Sequence, residues 1–354
     1  MLRRITKPAL LLVPMVALGG LLGACGSSPS ADLTVYSGQH PQLTAKLVAA
    51  FERKTGLKVV VRQSAEGVLP TQMATEGANS PADVVITENA SPMNAMAERG
   101  LLAALPASTL ESFKGPEPIP ASWTPGTYIS PTVGPGGRWV AVSQRVNVLV
   151  YNAKIVKPGA VPQHLADLAA PSMAGKLGLA PAEPDFTPVV SALIVKEGTK
   201  AATSWLEGAK SNAGPRTYVD NEELIRRIGL GQVAVATMDQ YYWYRYRHTG
   251  DSKDVVMAPF ASGDVGNLVG VSPVGIARHA PHAAAARRFV DFVTSPAGQR
   301  VVASSGSYEY PARANSPTPP GLPPISSFGV SSVSPAQLGS GAAALALMTK
   351  VQLL

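Results

Sequence analysis

Trp139 to Asn152 (Trp-Val-Ala-Val-Ser-Gln-Arg-Val-Asn-Val-Leu-Val-Tyr-Asn) reads as one uninterrupted strand. Strands usually run about 5–6 residues, so this one is too long to be used up in a single compact sheet. Alternating strand and helix patterns flank it on both sides, which marks open α/β sheets. A strand that outruns one such sheet has to pass into another, and we read it as the first crossing between two lobes.

Before the crossing, residues 33–36 read as a strand, 37–40 as a loop and 42–54 as a helix with Leu43, Leu47, Val48 and Phe51 on one face. Gly56 stops that helix, and 58–62 begins the next strand. A helix over 69–76, a buried strand over 82–88 and a helix over 93–100 follow, and 114–137 is a Pro- and Gly-dense connection. After the crossing come strands at 178–181, 216–219 and 232–237 and helices at 188–197, 200–211 and 222–228. Residues 255–259 and 267–277 return the chain to the first lobe, and helices over 283–293, 296–304 and 335–351 complete it. These readings assign 33–141 and 270–314 to lobe one, 142–269 to lobe two, and 315–354 to a Pro-rich segment and a C-terminal helix.

Residues 1–24 have the basic start (Arg3, Arg4, Lys7), apolar middle and small-residue end of a secretory signal. The run Leu22-Gly-Ala-Cys25 matches a bacterial lipobox, in which the cysteine is acylated and becomes the first residue of the mature chain. Cys25 is the sole cysteine, so disulfides and cysteine metal sites are excluded. Residues 25–32 then form a lipidated tether, and no later stretch is long and apolar enough to span a bilayer. The expected location is the extracytoplasmic face of the cell membrane, with the protein lipid-anchored and monomeric. The formal charge of +7 includes the three leader cations and is dispersed, which argues against nucleic acid. No nucleophile–base set, phosphate loop or reactive carboxylate pair is evident, so no enzyme is expected.

Met238 to Tyr246 holds four of the ten tyrosines and directly follows an apolar strand. For Tyr241 and Tyr242 to reach one point, the backbone has to turn where the strand ends, because adjacent strand residues face opposite ways. Phenols ionise near pH 10 and ligate only when a strongly charged hard cation such as ferric iron displaces the proton. The alternative is a packed aromatic cluster. In open α/β sheets ligands bind past the carboxyl ends of strands, and His40, Glu88, Tyr241 and Tyr242 all stand there. Two phenolates and one carboxylate balance a trivalent ion, and neutral complexes are cheap to bury. His164, His248, His279 and His282 are read as partnerless and structural, and Trp243 and Tyr244 as packing residues.

Val35-Tyr-Ser-Gly-Gln-His40, Asp83-Val-Val-Ile-Thr-Glu88, Trp139 to Tyr151, Gln240-Tyr-Tyr-Trp243, Phe289-Val-Asp-Phe292 and Tyr308-Glu-Tyr-Pro-Ala-Arg313 together resemble the ferric-ion-binding proteins of bacterial ABC-type iron uptake. The resemblance covers nearly all of the mature chain. It implies the two-lobed α/β fold of type II periplasmic binding proteins, with a hinge near Arg145 and Val269 and an interlobe cleft. It also implies Fe3+ as transported ligand, a permease and ATPase as partners, and His40, Glu88, Tyr241 and Tyr242 as metal ligands. Asn89 falls where the family has a polar residue near a bound anion, Arg313 where a cation supports the acidic ligand, and Asn221 where an anion-side asparagine stands. Asp239 replaces a second such asparagine, and the family's anion loop reads Ala180-Pro-Ala-Glu-Pro-Asp-Phe-Thr187 here. Pro181 and Pro184 have no N–H to donate, which leaves two readings: both Glu183 and Asp185 face solvent in a surface loop, or one of them takes the anion's place, with Arg313 or Arg145 offsetting the added charge. The competing expectation is the same fold holding another solute, such as an oxyanion, phosphonate or polyamine.

Overall fold

The computed structural model describes residues 31–111 and 133–354. The leader, Cys25 and most of the 114–137 connection lie outside the described residues. Among the described residues no helix is long and apolar enough to cross a membrane.

The first βα unit is β1 (Leu33–Ser37) followed by α1 (Pro41–Thr55). Pro41 opens α1, where its missing N–H loses nothing, and Gly56 closes it at φ 74°, donating to the Glu52 carbonyl. Leu43, Leu47, Val48 and Phe51 are its buried face. Next come β2 (Val59–Gln63), α2 (Leu69–Glu76), β3 (Val84–Ile86), α3 (Ala90–Glu98) and α4 (Ala107–Glu111). β4 is Trp139–Asn152, and α5 (Phe186–Ala213) follows, with non-helical Gly198 inside it. Then come α6 (Asn221–Gly229), β5 (Val235–Asp239), α7 (Gln240–Tyr246), β6 (Val255–Ala258) and β7 (Val269–Ile276). The chain ends with α8 (Ala283–Thr294), α9 (Pro296–Ser304), β8 (Tyr310–Pro311) and α10 (Ala342–Lys350).

The strands lie in the order β2-β1-β3-β7-β4-β5, with β6 and β8 also on β4. β4 does what its length requires. Residues 139–146 pair antiparallel with β7, whereas 147–151 pair with β5 and 149–152 with β6. Four clusters of core are present, of which the tyrosine pair lies in one with Val146, Val148 and Leu224, and Trp139 in another with Tyr36 and Met93. One packs α1, α8 and α9 on β1, β3 and the start of β4, around Phe51, Phe289 and Val140. Another packs α5 around Leu193, Leu206 and Phe260. The fold is two-lobed α/β.

Several local expectations change. Residues 178–181 and 216–219 form isolated bridges rather than strands, Leu177 to Val235 and Leu179 to Thr217. The expected final helix is broken: a 3-10 turn at Pro335–Leu338 is separated from α10 by Gly339 and Gly341, both at positive φ. That turn packs on α3 and α5 together, and Asn94 of α3 donates to the Pro335 and Gly339 carbonyls at 3.4 and 3.1 Å.

Candidate metal centre

β5 ends at Asp239 and the backbone turns there, as expected, with the tyrosine pair in the first turn of α7. Gln240 fixes that start. Fully buried, it accepts from the Val146 N–H at 2.8 Å and donates to the Tyr308 carbonyl at 2.8 Å, stitching the helix to the crossing strand. The two phenols leave α7 about 100° apart yet keep ring centroids 4.3 Å apart. Both are buried.

Across the cleft, His40 stands at the start of α1 and Glu88 just past β3. The hydroxyl of Tyr241 lies 2.8 Å from Glu88 Oε1 and 2.9 Å from Asp185 Oδ2. His40 Nδ1 is 3.4 Å from the same Glu88 oxygen, and its ring meets Tyr241 edge-on at 5.2 Å. Tyr242 donates to Glu183 Oε1 at 3.1 Å. His40, Glu88, Tyr241 and Tyr242 are therefore in one cluster, and Glu183 and Asp185 face it rather than solvent.

Burial dominates the proton chemistry. It pushes both phenols well above their ordinary range, reinforced by the charges of Asp185 and Glu88. Burial and Asp185 likewise raise Glu88 well above the carboxylate range, and burial takes Glu183 up to about 8. His40 is pushed down by burial, so its imidazole is neutral and free to donate a lone pair. With no cation the phenols keep their protons and hand them to carboxylates as hydrogen bonds. A strongly charged cation reverses that state, since it competes directly for phenolate and carboxylate oxygens.

Arg145 is the buried cation behind this cluster, fully enclosed at the point where β4 leaves β7. It faces Gly270, where a Cβ would come within 3.3 Å of the Arg145 side chain. Its guanidinium donates to the Glu88 carbonyl, to Asn89 Oδ1 at 2.8 Å and to Ser272 Oγ at 2.9 Å. Its Nε makes an ion pair with Asp239 at 2.8 Å, outside hydrogen-bond alignment, and lies 3.6 Å from Asp185. Burial alone would lower its pKa, but Asp185, Asp239 and Glu88 hold it above the ordinary value. Arg245, one helical turn beyond Tyr241, lays its guanidinium 4.5 Å from that ring's centre.

Of the other expected residues, Asn89 and Asn221 border the cluster and Arg313 meets the end of α8. Arg313 donates to the Thr294 carbonyl there, and Arg145 is the cation paired with Asp239 and Asp185. Asn89 gives its N–H and amide to Glu66 at 2.7 and 3.0 Å, and Asn221 donates its N–H to Glu183 at 3.1 Å. His164, His248 and His282 are not partnerless: His164 and His282 meet Asp264 at 2.9 Å and Asp83 at 3.0 Å, away from the cluster, and His248 Nε2 accepts from Arg247 Nε at 3.1 Å. Sequence reasoning missed Glu66 and Glu309, both buried. Glu66, raised by burial to about 7, braces Asn89, and Glu309 takes bonds from Ser143 and Gln39.

The comparisons with known proteins agree on one class. The profile of the bacterial extracellular solute-binding proteins matches residues 46–324. An Fe(3+)-binding periplasmic protein of Serratia marcescens is 30% identical over 98% of this chain and 97% of its own. A major ferric iron-binding protein of Neisseria meningitidis is 30% identical over 79% of this chain and 81% of its own. Iron-bound HitA from Pseudomonas aeruginosa superposes with a TM-score of 0.81 at 33% identity, over 90% of this chain and 99% of that one. With two lobes meeting over a buried donor cluster, the chain belongs to the bacterial extracellular solute-binding protein family.

Proposed function

We propose that this protein captures ferric iron between its lobes, with His40, Glu88, Tyr241 and Tyr242 as ligands, and hands it to a membrane permease driven by an ATPase. The observation that carries the reading is the meeting of Tyr241 with Glu88 at 2.8 Å across the cleft, beside a second buried phenol and a neutral imidazole. The four donors combine hard oxygens with one nitrogen, the mix that suits Fe3+ over soft metals. Iron-binding relatives that match most of the chain support the same cargo. Capture proceeds as iron displaces both phenolic protons, and the contacts that span the cleft then hold the lobes together. Release follows when protons return to the phenols or the lobes part.

The same reading puts the protein outside the cytoplasmic membrane, held by lipid on Cys25. The mass of the mature N-terminus tests this, because an unmodified thiol there removes the anchor.

The cargo is tested by colour. Ferric phenolate absorbs in the visible, and histidine and carboxylate ligands do not supply that band. Tyr241→Phe and Tyr242→Phe should each weaken the band of the loaded protein, and the double variant should lose it. A colourless wild-type protein with one iron per chain would remove the phenols from the site.

A further inference from the structure

We propose that Gln39 is a positioning residue for iron capture: its side-chain oxygen, aimed by Glu309, holds the ring proton of His40 on Nδ1 and so presents Nε2 to the metal. The inference rests on the iron reading above and extends it to two residues that do not themselves ligate.

A neutral imidazole has one N–H and one lone pair, and the partner of the first nitrogen decides which nitrogen is left to ligate. Free histidine favours the proton on Nε2, so a site that uses Nε2 as donor has to work against that preference. His40 Nδ1 lies 2.9 Å from Gln39 Oε1, and the His40 backbone N–H donates to the same oxygen at 2.5 Å. An amide oxygen only accepts, so the proton between Gln39 and the ring belongs to Nδ1. Glu88 Oε1, 3.4 Å from Nδ1, is a second acceptor on that side. Nε2 is then the nitrogen with the free pair.

Which end of the Gln39 amide meets the ring is settled by its other neighbours. Gln39 is buried, and its Nε2 donates to Glu309 Oε2 at 3.2 Å and to Ser272 Oγ. A carboxylate oxygen only accepts. Turning the amide over would therefore set oxygen against oxygen at Glu309 and N–H against N–H at His40, and buried polar groups left in that state are costly. Glu309 is fixed in turn. Fully buried, its Oε2 also accepts from the Ser143 hydroxyl at 2.6 Å, with Arg145 Nη1 3.8 Å away. The Gln39 backbone is held as well, its carbonyl accepting from Gln63 Nε2 at 2.6 Å. A carboxylate 270 residues along the chain thus orients an amide, and the amide orients the ring proton.

The test uses the full mature chain with NMR-active nitrogen in its histidines. In the iron-free protein near neutral pH, Nε2 is identified because it couples to both ring C–H protons, and its shift tells whether it has a hydrogen. His40→Gln assigns the signal by its loss. Wild type should show Nδ1–H and a bare Nε2. Gln39→Leu keeps most of the side-chain volume without the acceptor, so Nε2–H should become the main form of His40. Its iron affinity, read by competition with a hydroxamate chelator, should fall about 10–100-fold, the range for outer partners of a metal ligand. The visible band should keep its wavelength, because both phenolates stay. Glu309→Gln gives the amide a neighbour that can donate or accept, so it should mix the tautomers and lose part of the affinity. Adding Gln39→Glu to Glu309→Gln rebuilds the pair in reverse, with the amide at position 309 and the carboxylate at 39. That double variant should return the proton to Nδ1 and recover most of the affinity, which a role confined to packing would not do. A bare Nδ1 in wild type overturns the proposal, as does Gln39→Leu with an unchanged tautomer or unchanged affinity. If wild type shows the expected tautomer and takes up no iron, the cargo reading falls and the donor role of Nε2 falls with it. The wild-type spectrum and the double variant decide the matter even where Gln39→Leu fails to fold.

Discussion

Replacing Arg145 with methionine keeps the volume of the side chain's stem and removes its charge and five donors. The structure says what that leaves behind: Asp239 without the ion pair at 2.8 Å, Asp185 without the one at 3.6 Å, and Asn89, Ser272 and the Glu88 carbonyl without their donor. Removing one member of a buried ion pair costs about 3–5 kcal/mol, because the surviving charge stays buried and unmatched. Whole domains are stable by about 5–15 kcal/mol, so Arg145→Met should take a large share. At roughly 2 °C per kcal/mol for a chain of this size, the iron-free protein should melt about 6–10 °C lower in calorimetry. The loss should also depend on pH. Asp239 is already raised by burial and by Asp185, and in the variant it loses the guanidinium that counters them. A carboxyl raised in the folded state withdraws stability as pH climbs above its unfolded value, so the deficit should be greater at pH 8 than at pH 5. Asp239→Asn, added to Arg145→Met, should recover part of the loss by removing an orphaned charge. A melting drop under about 2 °C, or a double variant that simply adds two losses, would refute the idea that Arg145 is a buried counter-charge.

Two other outcomes follow from single contacts. Burial takes Glu66 to about 7 and Glu183 to about 8, so the folded iron-free chain holds their protons after the unfolded chain has released them; its melting temperature should fall from pH 5.5 to 8.5, and Glu183→Gln should flatten that slope. Gly38→Ala would put a Cβ 2.5 Å from Glu66 Cβ and 2.7 Å from its Cα, so the chain has to shift, with a melting loss equivalent to about 1–3 kcal/mol; an unchanged melt would show that the Glu66 segment gives way freely.

The strand-end rule brought His40, Glu88 and the tyrosine pair onto one list because it depends only on where apolar runs stop, and the structure has these four side chains in contact. β4 was legible for a similar reason, since a run of that length with no breaker fits nothing shorter than a crossing. What stayed hidden was pairing at long range. Arg313 sits in a recognisable motif while Arg145 sits in an apolar strand, yet only the fold shows which guanidinium reaches the acids. His164 and Asp264 are 100 residues apart and His282 and Asp83 are 199 apart, separations over which no local pattern carries information. Glu66 gave no signal at all: an acid at a helix approach looks solvated until Gly38 is found packed against it. The change of direction after β5 was legible, but the sequence did not say that a helix makes it, because tyrosines are indifferent helix formers; Gln240's bonds to Val146 and Tyr308 hold the first turn of α7.

The tail that leaves β8 has a mechanical meaning. Val333, Leu338, Leu347 and Met348 are buried in the same core as α5, while Asn94, on the opposite lobe, grips the Pro335 and Gly339 carbonyls. Two bodies joined only through crossing strands share a flexure at one end and swing freely at the other. This tail adds a strap across the two, anchored in the α5 core on one side and packed on α3, with the Asn94 amide bonded to it, on the other. Any parting of the lobes therefore has to break the tail's packing on α3 and the two bonds from Asn94 as well as the contacts around the tyrosines.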